Sequence, residues 1–67
     1  MITILIEKTN ETLKEDVSQF KTAKDVVEFI GESLNGVIIT VNNEIVLEEY
    51  EVQDGDEFKI LSVVSGG

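Results

Sequence analysis

The sequence predicts an α+β domain in which one helix packs across one face of a mixed sheet of four to five strands. Two observations support this fold class: apolar residues alternate near both ends of the chain, and a single helical stripe of apolar residues lies between them. The expected order is strand, strand, helix, strand, strand, strand, with a short fourth strand. With 67 residues the chain is expected to form a single domain, 1–67, that has little room for an internal active site.

The first strand is expected from Met1 to Ile6, because Ile2, Ile4 and Ile6 alternate with other residues and would form one strongly buried face. The polar segment from Glu7 to Glu11 then interrupts the pattern, as the loop of a hairpin does.

The returning strand is predicted from about Thr12 to Ser18, with Leu13 and Val17 as its apolar anchors. The alternation between them is not clean, because Glu15 stands at the intervening position of the same face, so the pattern allows a bulge between them.

A helix is expected to begin after Thr22, because Asp25 follows three residues later and completes a capping-box pattern. Gly31 should loosen the helix, and Asn35-Gly36 should end it. Its apolar stripe is spaced for one helical face and consists of Ala23, Val26, Val27, Ile30 and Leu34.

A second hairpin is expected from the β-branched run Val37 to Val41, which leads through Asn42-Asn43 into the apolar segment Ile45 to Leu47. Asparagine pairs tolerate the positive φ angles of a tight hairpin turn. The polar segment from Glu48 to Val52 should then cross the fold with Tyr50 and Val52 pointing inward.

The last strand is predicted from Glu57 to Val64, after a turn at Asp54-Gly55-Asp56. Phe58 and Ile60 would share the face that meets the helix, and Leu61 and Val63 would share the opposite face. That opposite pair forms either an exposed apolar patch or a surface covered by neighbouring side chains. If the first and last strands lie side by side at the centre of the sheet, the end of the chain is firmly anchored.

Composition excludes several kinds of function. The chain has no cysteine and no histidine, which removes thiolate and imidazole catalysis, disulfides and the usual zinc ligands. We predict no cofactor and no metal site, because acidic groups such as Glu48-Glu49 and Asp54-Gly55-Asp56 are typical of solvated turns. No signal peptide or membrane span is recognisable, so a cytoplasmic location is the default expectation.

The net charge of -9 makes direct binding to nucleic acid improbable, since phosphate backbones are bound by Lys and Arg. Two interpretations of this charge stay open. It could serve solubility alone, or it could steer the domain onto a basic partner.

The candidate functional residues are Gly66 and Gly67, which end the sequence after an apolar run. Glycine lacks a Cβ, so such a tail can enter a narrow active site of another protein with its terminal carboxylate first. Residues 65–67 are accordingly predicted to form a flexible diglycine tail. The alternative is an ordinary frayed terminus.

These elements together resemble the small ThiS- and MoaD-type sulfur carriers, which have the ubiquitin-like β-grasp fold. The resemblance covers roughly residues 22–67 and rests on the order and spacing of its parts. They are the Thr-capped helix, Gly36 before the third strand, the hairpin from Val41 to Val46, the turn from Gln53 to Asp56, and the apolar last strand that ends in Gly66-Gly67.

The resemblance implies a carrier that is not itself an enzyme and is a monomer when free. A partner related to ubiquitin-activating enzymes would use ATP to adenylate Gly67, and a sulfur donor such as a cysteine desulfurase or rhodanese would convert it to a thiocarboxylate. The sulfur would pass to an acceptor synthase for thiamine thiazole, molybdopterin or thiolated tRNA. Gly66 would provide the narrow approach. The partner-binding residues are expected to be Leu61, Val63, Val64 and Ser65.

Two other functions stay open at this point. The chain could be a ubiquitin-like modifier that is conjugated to other proteins through Gly67, or a β-grasp interaction module in which the diglycine has no role.

Overall fold

The computed structural model describes residues 1–63 and has one helix on one face of a five-stranded mixed sheet. The strands are β1 (Ile2–Ile6), β2 (Glu11–Glu15), β3 (Val37–Val41), β4 (Glu44–Val46) and β5 (Glu57–Ser62), and the helix is α1 (Ala23–Phe29). Short 3₁₀ turns occupy Val17–Gln19 and Leu34–Gly36. The strand order across the sheet is β2-β1-β5-β3-β4, which confirms the predicted fold class.

The first and last strands lie side by side at the centre of the sheet, as expected. β1 and β5 run parallel, with Ile4 opposite Phe58 and Ile6 opposite Ile60. β2 and β3 flank this pair as antiparallel neighbours. Because β5 is paired on both sides, the backbone that leads to the end of the chain is held by two rows of hydrogen bonds.

The second strand is shorter than predicted, and the bulge that the sequence pattern allowed is absent from it. β2 pairs with β1 without interruption, from Ile2 opposite Glu15 to Ile6 opposite Glu11. The strand ends because the Asp16 carboxylate accepts hydrogen bonds from the Ser18 N–H and hydroxyl, both at 2.9 Å, and caps a 3₁₀ turn. Val17 therefore packs against the core from this turn and not from a strand.

The helix is also shorter than predicted: α1 ends at Phe29, whereas the apolar stripe continues to Leu34. Gly31 has a φ of +79°, and its N–H donates to the Glu28 carbonyl oxygen while the Glu32 N–H donates to that of Val27. This pair of hydrogen bonds is a Schellman motif, in which a left-handed glycine stops a helix. Leu34 still packs against the core, but from the following 3₁₀ turn.

The β3–β4 hairpin confirms the predicted turn. Asn42 and Asn43 have φ values of 52° and 71°, as a tight two-residue turn between twisted strands requires. β4 ends at Val46, so Leu47 lies outside the strand that was predicted to contain it.

The core is formed by one face of the sheet and the inner face of α1. The buried apolar residues among those described are Ile2, Ile4, Ile6, Phe20, Ala23, Val26, Val27, Ile39, Val41, Phe58 and Ile60. Tyr50 and Val52 pack against this cluster, which confirms that the Glu48 to Val52 crossing points them inward. The Tyr50 carbonyl oxygen accepts a 2.8 Å hydrogen bond from the Ala23 N–H, so the crossing also holds the start of the helix.

Candidate functional site

The end of β5 is fixed to the segment that precedes β3. Ser62 lies opposite Val37, and the Val63 N–H donates a 3.0 Å hydrogen bond to the Gly36 carbonyl oxygen. The ordered pairing thus extends to the last described residue. Val64, Ser65, Gly66 and Gly67, which include most of the predicted site, lie outside the described residues, as does the predicted end of the last strand at Val64.

The face of the sheet opposite the helix carries an apolar patch beside this point. Leu61 is partly buried and lies directly opposite Ile38 on β3, and Val63, two residues further along, is 50% exposed. We call Ile38, Leu61 and Val63 the open-face patch. Each of the two alternatives predicted for Leu61 and Val63 therefore holds for one residue. Leu61 is partly covered by its neighbour Ile38, and Val63 is exposed.

The charge of this open face differs from that of the whole chain. The register places Lys14 opposite Thr3 and Lys59 opposite Leu5, so both lysines project from this face, as does Glu57. The large net negative charge is therefore carried mainly elsewhere. A partner that approaches the open face over β1 and β5 meets lysines as well as a carboxylate.

A depression of about 210 Å³ lies on the open face and is lined by residues such as Thr3, Leu5, Thr12, Thr40 and Lys59. The Thr40 hydroxyl donates a 3.1 Å hydrogen bond to the Lys59 carbonyl oxygen, so it serves the pairing of β3 with β5. Within residues 1–63 no group of three or more acidic side chains is placed to hold a metal ion. No helix of that same part of the chain is long and apolar enough to cross a membrane.

The one buried carboxylate among the described residues is Asp56, which is 6% exposed. It accepts hydrogen bonds from the Tyr50 hydroxyl and the Gln53 N–H, both at 2.8 Å, and from the Asn42 side-chain amide at 3.2 Å. Because all three donors come from turns and crossings around it, this carboxylate holds the connections together. Its role is structural.

Comparison with known families adds the deciding observation: the model of the ThiS family matches residues 2–67. The chain belongs to the ThiS family. The observed sheet and helix fit the ubiquitin-like β-grasp fold that membership implies. ThiS family proteins are small sulfur carriers and not catalytic enzymes, and they interact with an adenylating enzyme and with sulfur-transfer partners.

In this ThiS family member, the structure places two of the residues predicted to bind the partner, Leu61 and Val63, at the end of the described chain. It adds two residues that the sequence analysis did not assign to the site, Ile38 in the patch and Gly36 as the anchor of Val63. Ile38 could have been found from the alternation within β3, since its neighbours Val37 and Ile39 face the helix. The hydrogen bond between Gly36 and Val63 depends on the register between strands that are far apart in the chain, and no short stretch of sequence signals that register.

Proposed function

We propose that this chain carries sulfur as a thiocarboxylate on Gly67 after a partner enzyme has adenylated that residue. Gly66 provides the slender approach to the partner's active site, since a residue without a Cβ lets surrounding groups come close to the backbone. Leu61, Val63, Val64 and Ser65 contact the partner. ThiS family membership supports the carrier role, and the match that runs through Gly66 and Gly67 supports the site.

The chemistry requires activation of the carboxylate. A carboxylate oxygen of Gly67 attacks the α-phosphorus of ATP and expels pyrophosphate, which gives an acyl adenylate. The terminal sulfur of a donor persulfide then attacks the acyl carbon and expels AMP, which gives an acyl disulfide. A thiolate attacks the donor-side sulfur of this disulfide and breaks the bond between the two sulfurs. The transferred sulfur takes the electron pair and leaves as the thiocarboxylate, while the attacking thiol is oxidised to a new disulfide with the donor sulfur.

The observation that carries the proposal is the position of the last described residues. β5 is held between β1 and β3, and the Val63 N–H is bonded to Gly36, so the residues after Val63 start from a rigid point. The open-face patch lies beside that point. A partner can therefore bind the domain at the patch while its active site receives Gly66 and Gly67.

The proposal names the class of enzyme that receives the sulfur but does not choose one pathway. An acceptor synthase for thiamine thiazole, molybdopterin or thiolated tRNA takes the sulfur, and the described residues favour none of the three. A cysteine desulfurase or a rhodanese supplies it. The free carrier is a cytoplasmic monomer.

The test is intact-protein mass spectrometry of the full chain after incubation with ATP, a sulfur donor and the adenylating enzyme from the same cell. We expect a mass gain that corresponds to replacement of one oxygen by sulfur. The control is a chain that lacks Gly66 and Gly67, first shown by its amide spectrum to keep the fold, and it should gain nothing.

Two results would contradict the proposal. One is the absence of both adenylate and sulfur with an enzyme proven active on another carrier. The other is isolation of isopeptide-linked conjugates through Gly67 without any thiocarboxylate, which would favour a protein modifier.

A further inference from the structure

β4 forms an edge of the sheet and pairs with β3 on one side of its backbone. The two-residue turn makes Val41 and Glu44 a hydrogen-bonded pair, and the register continues with Thr40 opposite Ile45. In an antiparallel ladder hydrogen-bonded and non-bonded pairs alternate, so the N–H and carbonyl of Ile45 point away from β3. Within residues 1–63, no hydrogen bond occupies this donor and this acceptor on the outer side of β4.

The same edge exposes large apolar side chains. Ile45 is 74% exposed and Leu47 is 73% exposed, the two highest exposures among the large apolar residues that the structure describes. A groove of about 380 Å³ runs along this edge, and Leu34, Ile38 and Val46 contribute further apolar surface to it. The opposite edge strand, β2, is different: its exposed side chains include Glu11 and Lys14, and none is a large exposed hydrophobic residue.

Acidic side chains surround the β4 groove. Glu48 and Glu49 line it, and Glu44 lies at the start of β4, while no lysine is among its lining residues. Two copies of the chain joined through this edge would bring these carboxylates together, and like charges in close opposition are destabilising. The groove is therefore poorly suited to self-association and complementary to a basic partner.

The two faces of β4 differ in chemistry. Glu44 lies opposite the buried Val41 and so projects towards the helix side, whereas Ile45 projects to the open face. A strand added beside β4 would alternate in the same way. Its side chains on the helix side would meet Glu44, and those on the open face would meet Ile45 and Leu47.

We propose that β4 is a docking edge for an extended segment of another protein in which apolar and basic residues alternate. The segment adds a sixth strand to the sheet through the outward N–H and carbonyl of Ile45. Its apolar side chains cover Ile45 and Leu47, and its lysines or arginines approach Glu44 and Glu48. This surface goes beyond the proposed sulfur carriage, because it requires neither Gly67 nor Leu61 and Val63, and it shares only Ile38 with the open-face patch.

The probe is a synthetic capped peptide in which valine and lysine alternate, titrated into the isotopically labelled full chain and followed by amide NMR. We expect saturable shifts centred on residues 44–47 and slower hydrogen exchange of the Ile45 amide, because that N–H becomes bonded. Adding salt should weaken binding, since the lysines are attracted by exposed carboxylates.

Three control peptides separate the contributions. In one, glutamate replaces every lysine, and it should fail to bind. The other two are methylated at alternate backbone nitrogens, one in each of the two possible registers. The register that blocks the bonds to β4 should abolish binding, whereas methylation on the far side should leave it intact.

Variants of the chain complete the test. Ile45→Ser should weaken binding by about tenfold, because a truncated apolar anchor at the centre of a contact has effects of this size. Val63→Ser is the matched control on the open-face patch and should leave binding unchanged. The proposal is overturned if the peptide does not bind, if its shifts centre on Leu61 and Val63, or if Ile45→Ser binds as well as the original chain. None of these results bears on sulfur loading of Gly67, which is measured separately.

Discussion

The hydroxyl of Tyr50 donates a 2.8 Å hydrogen bond to the buried carboxylate of Asp56. This bond joins the crossing that contains Tyr50 to the turn that directly precedes β5. The ring of Tyr50 meets Phe58 edge to face, with centroids 6.2 Å apart. Asn42 extends the connection to the β3–β4 hairpin, since its side chain donates to Asp56 and accepts from the Glu57 N–H. One carboxylate thus fixes three connections around the start of β5.

Tyr50→Phe tests this connection. The substitution keeps the ring and its contact with Phe58 but removes one donor from a buried charged acceptor, so we expect a loss of about 1 to 2 kcal/mol in the free energy of unfolding. Urea denaturation followed by circular dichroism measures it. A change below about 0.5 kcal/mol, the range of ordinary surface substitutions, would show that water replaces the hydroxyl.

The same hydrogen bond predicts how stability depends on alkaline pH. The bond to Asp56, together with burial, raises the pKa of Tyr50 above its ordinary value of 10.0. Because the folded state holds this proton more tightly than the unfolded state, its contribution is complete below pH 10.0 and is lost as the pH rises through the folded pKa.

The measurement is unusually direct, because Tyr50 is the single tyrosine of the chain and there is no tryptophan. Its absorbance change on ionisation should occur at higher pH in the folded protein than in the urea-unfolded protein. Coincident titration curves would mean that the hydrogen bond between Tyr50 and Asp56 does not raise the pKa of Tyr50 in solution. Tyr50→Phe should remove the part of the alkaline decline in stability that this group causes.

The sequence predicts those elements whose cause is local. Alternation places Ile2, Ile4 and Ile6 on one face of β1, and the pair Asn42-Asn43 makes its hairpin turn, because both signals act within a few residues. The sequence predicts a helix longer than the observed one, since the spacing of Leu34 fits the stripe. A left-handed Gly31 overrides that spacing and lets the same apolar residue reach the core from a turn.

The candidate site was predictable in part for a similar reason. The faces of β5 follow from its own alternation, so Leu61 and Val63 could be assigned to one side. The position of Ile38 opposite Leu61, the bond from Val63 to Gly36 and the network around Asp56 depend on pairing between segments far apart in the chain. Such register is set by the assembled core, and no short stretch of sequence encodes it.

Gly31→Ala tests the end of the helix. Gly31 has a φ of +79°, and a Cβ added there would have no heavy atom within 4 Å, so the cost is conformational and not steric. We expect a loss of about 1 kcal/mol in the free energy of unfolding. Gly31→Asn should lose less, because asparagine tolerates this conformation better. Equal stability of the alanine variant would indicate that α1 continues through this position.

The start of the helix predicts a dependence on acid. Hydrogen bonds from the backbone N–H groups of Lys21 and then Thr22 hold the pKa of Asp25 below its ordinary value of 3.8. Its contribution is therefore present above pH 3.8 and is lost as the pH falls through the folded pKa.

Asp25→Asn should consequently destabilise the chain at neutral pH and flatten the decline in stability at low pH, as measured by urea denaturation across the acid range. Glu28→Gln is the control, because it removes an equal charge from the exposed side of the same helix without touching these bonds. If the two variants behaved alike, the effect would be one of net charge and not of the helix start.

The open-face patch makes the last prediction, which concerns activation by the adenylating enzyme. Val63→Ser removes apolar surface that is already 50% exposed, so the fold should be unaffected. If the partner binds the patch, this variant should raise the KM for the carrier by about tenfold and leave kcat unchanged, as loss of uniform binding does. Phe29→Ser, at a residue 47% exposed on α1, is the matched control and should change neither constant once its amide spectrum has shown that the fold survives loss of the edge-to-face contact with Phe20. A fall in kcat with constant KM would instead mean that Val63 acts on how Gly67 is placed for reaction, because such an interaction is made only in the transition state. Unchanged kinetics for Val63→Ser, with both variants folded, would show that the partner recognises the residues after Val63 alone.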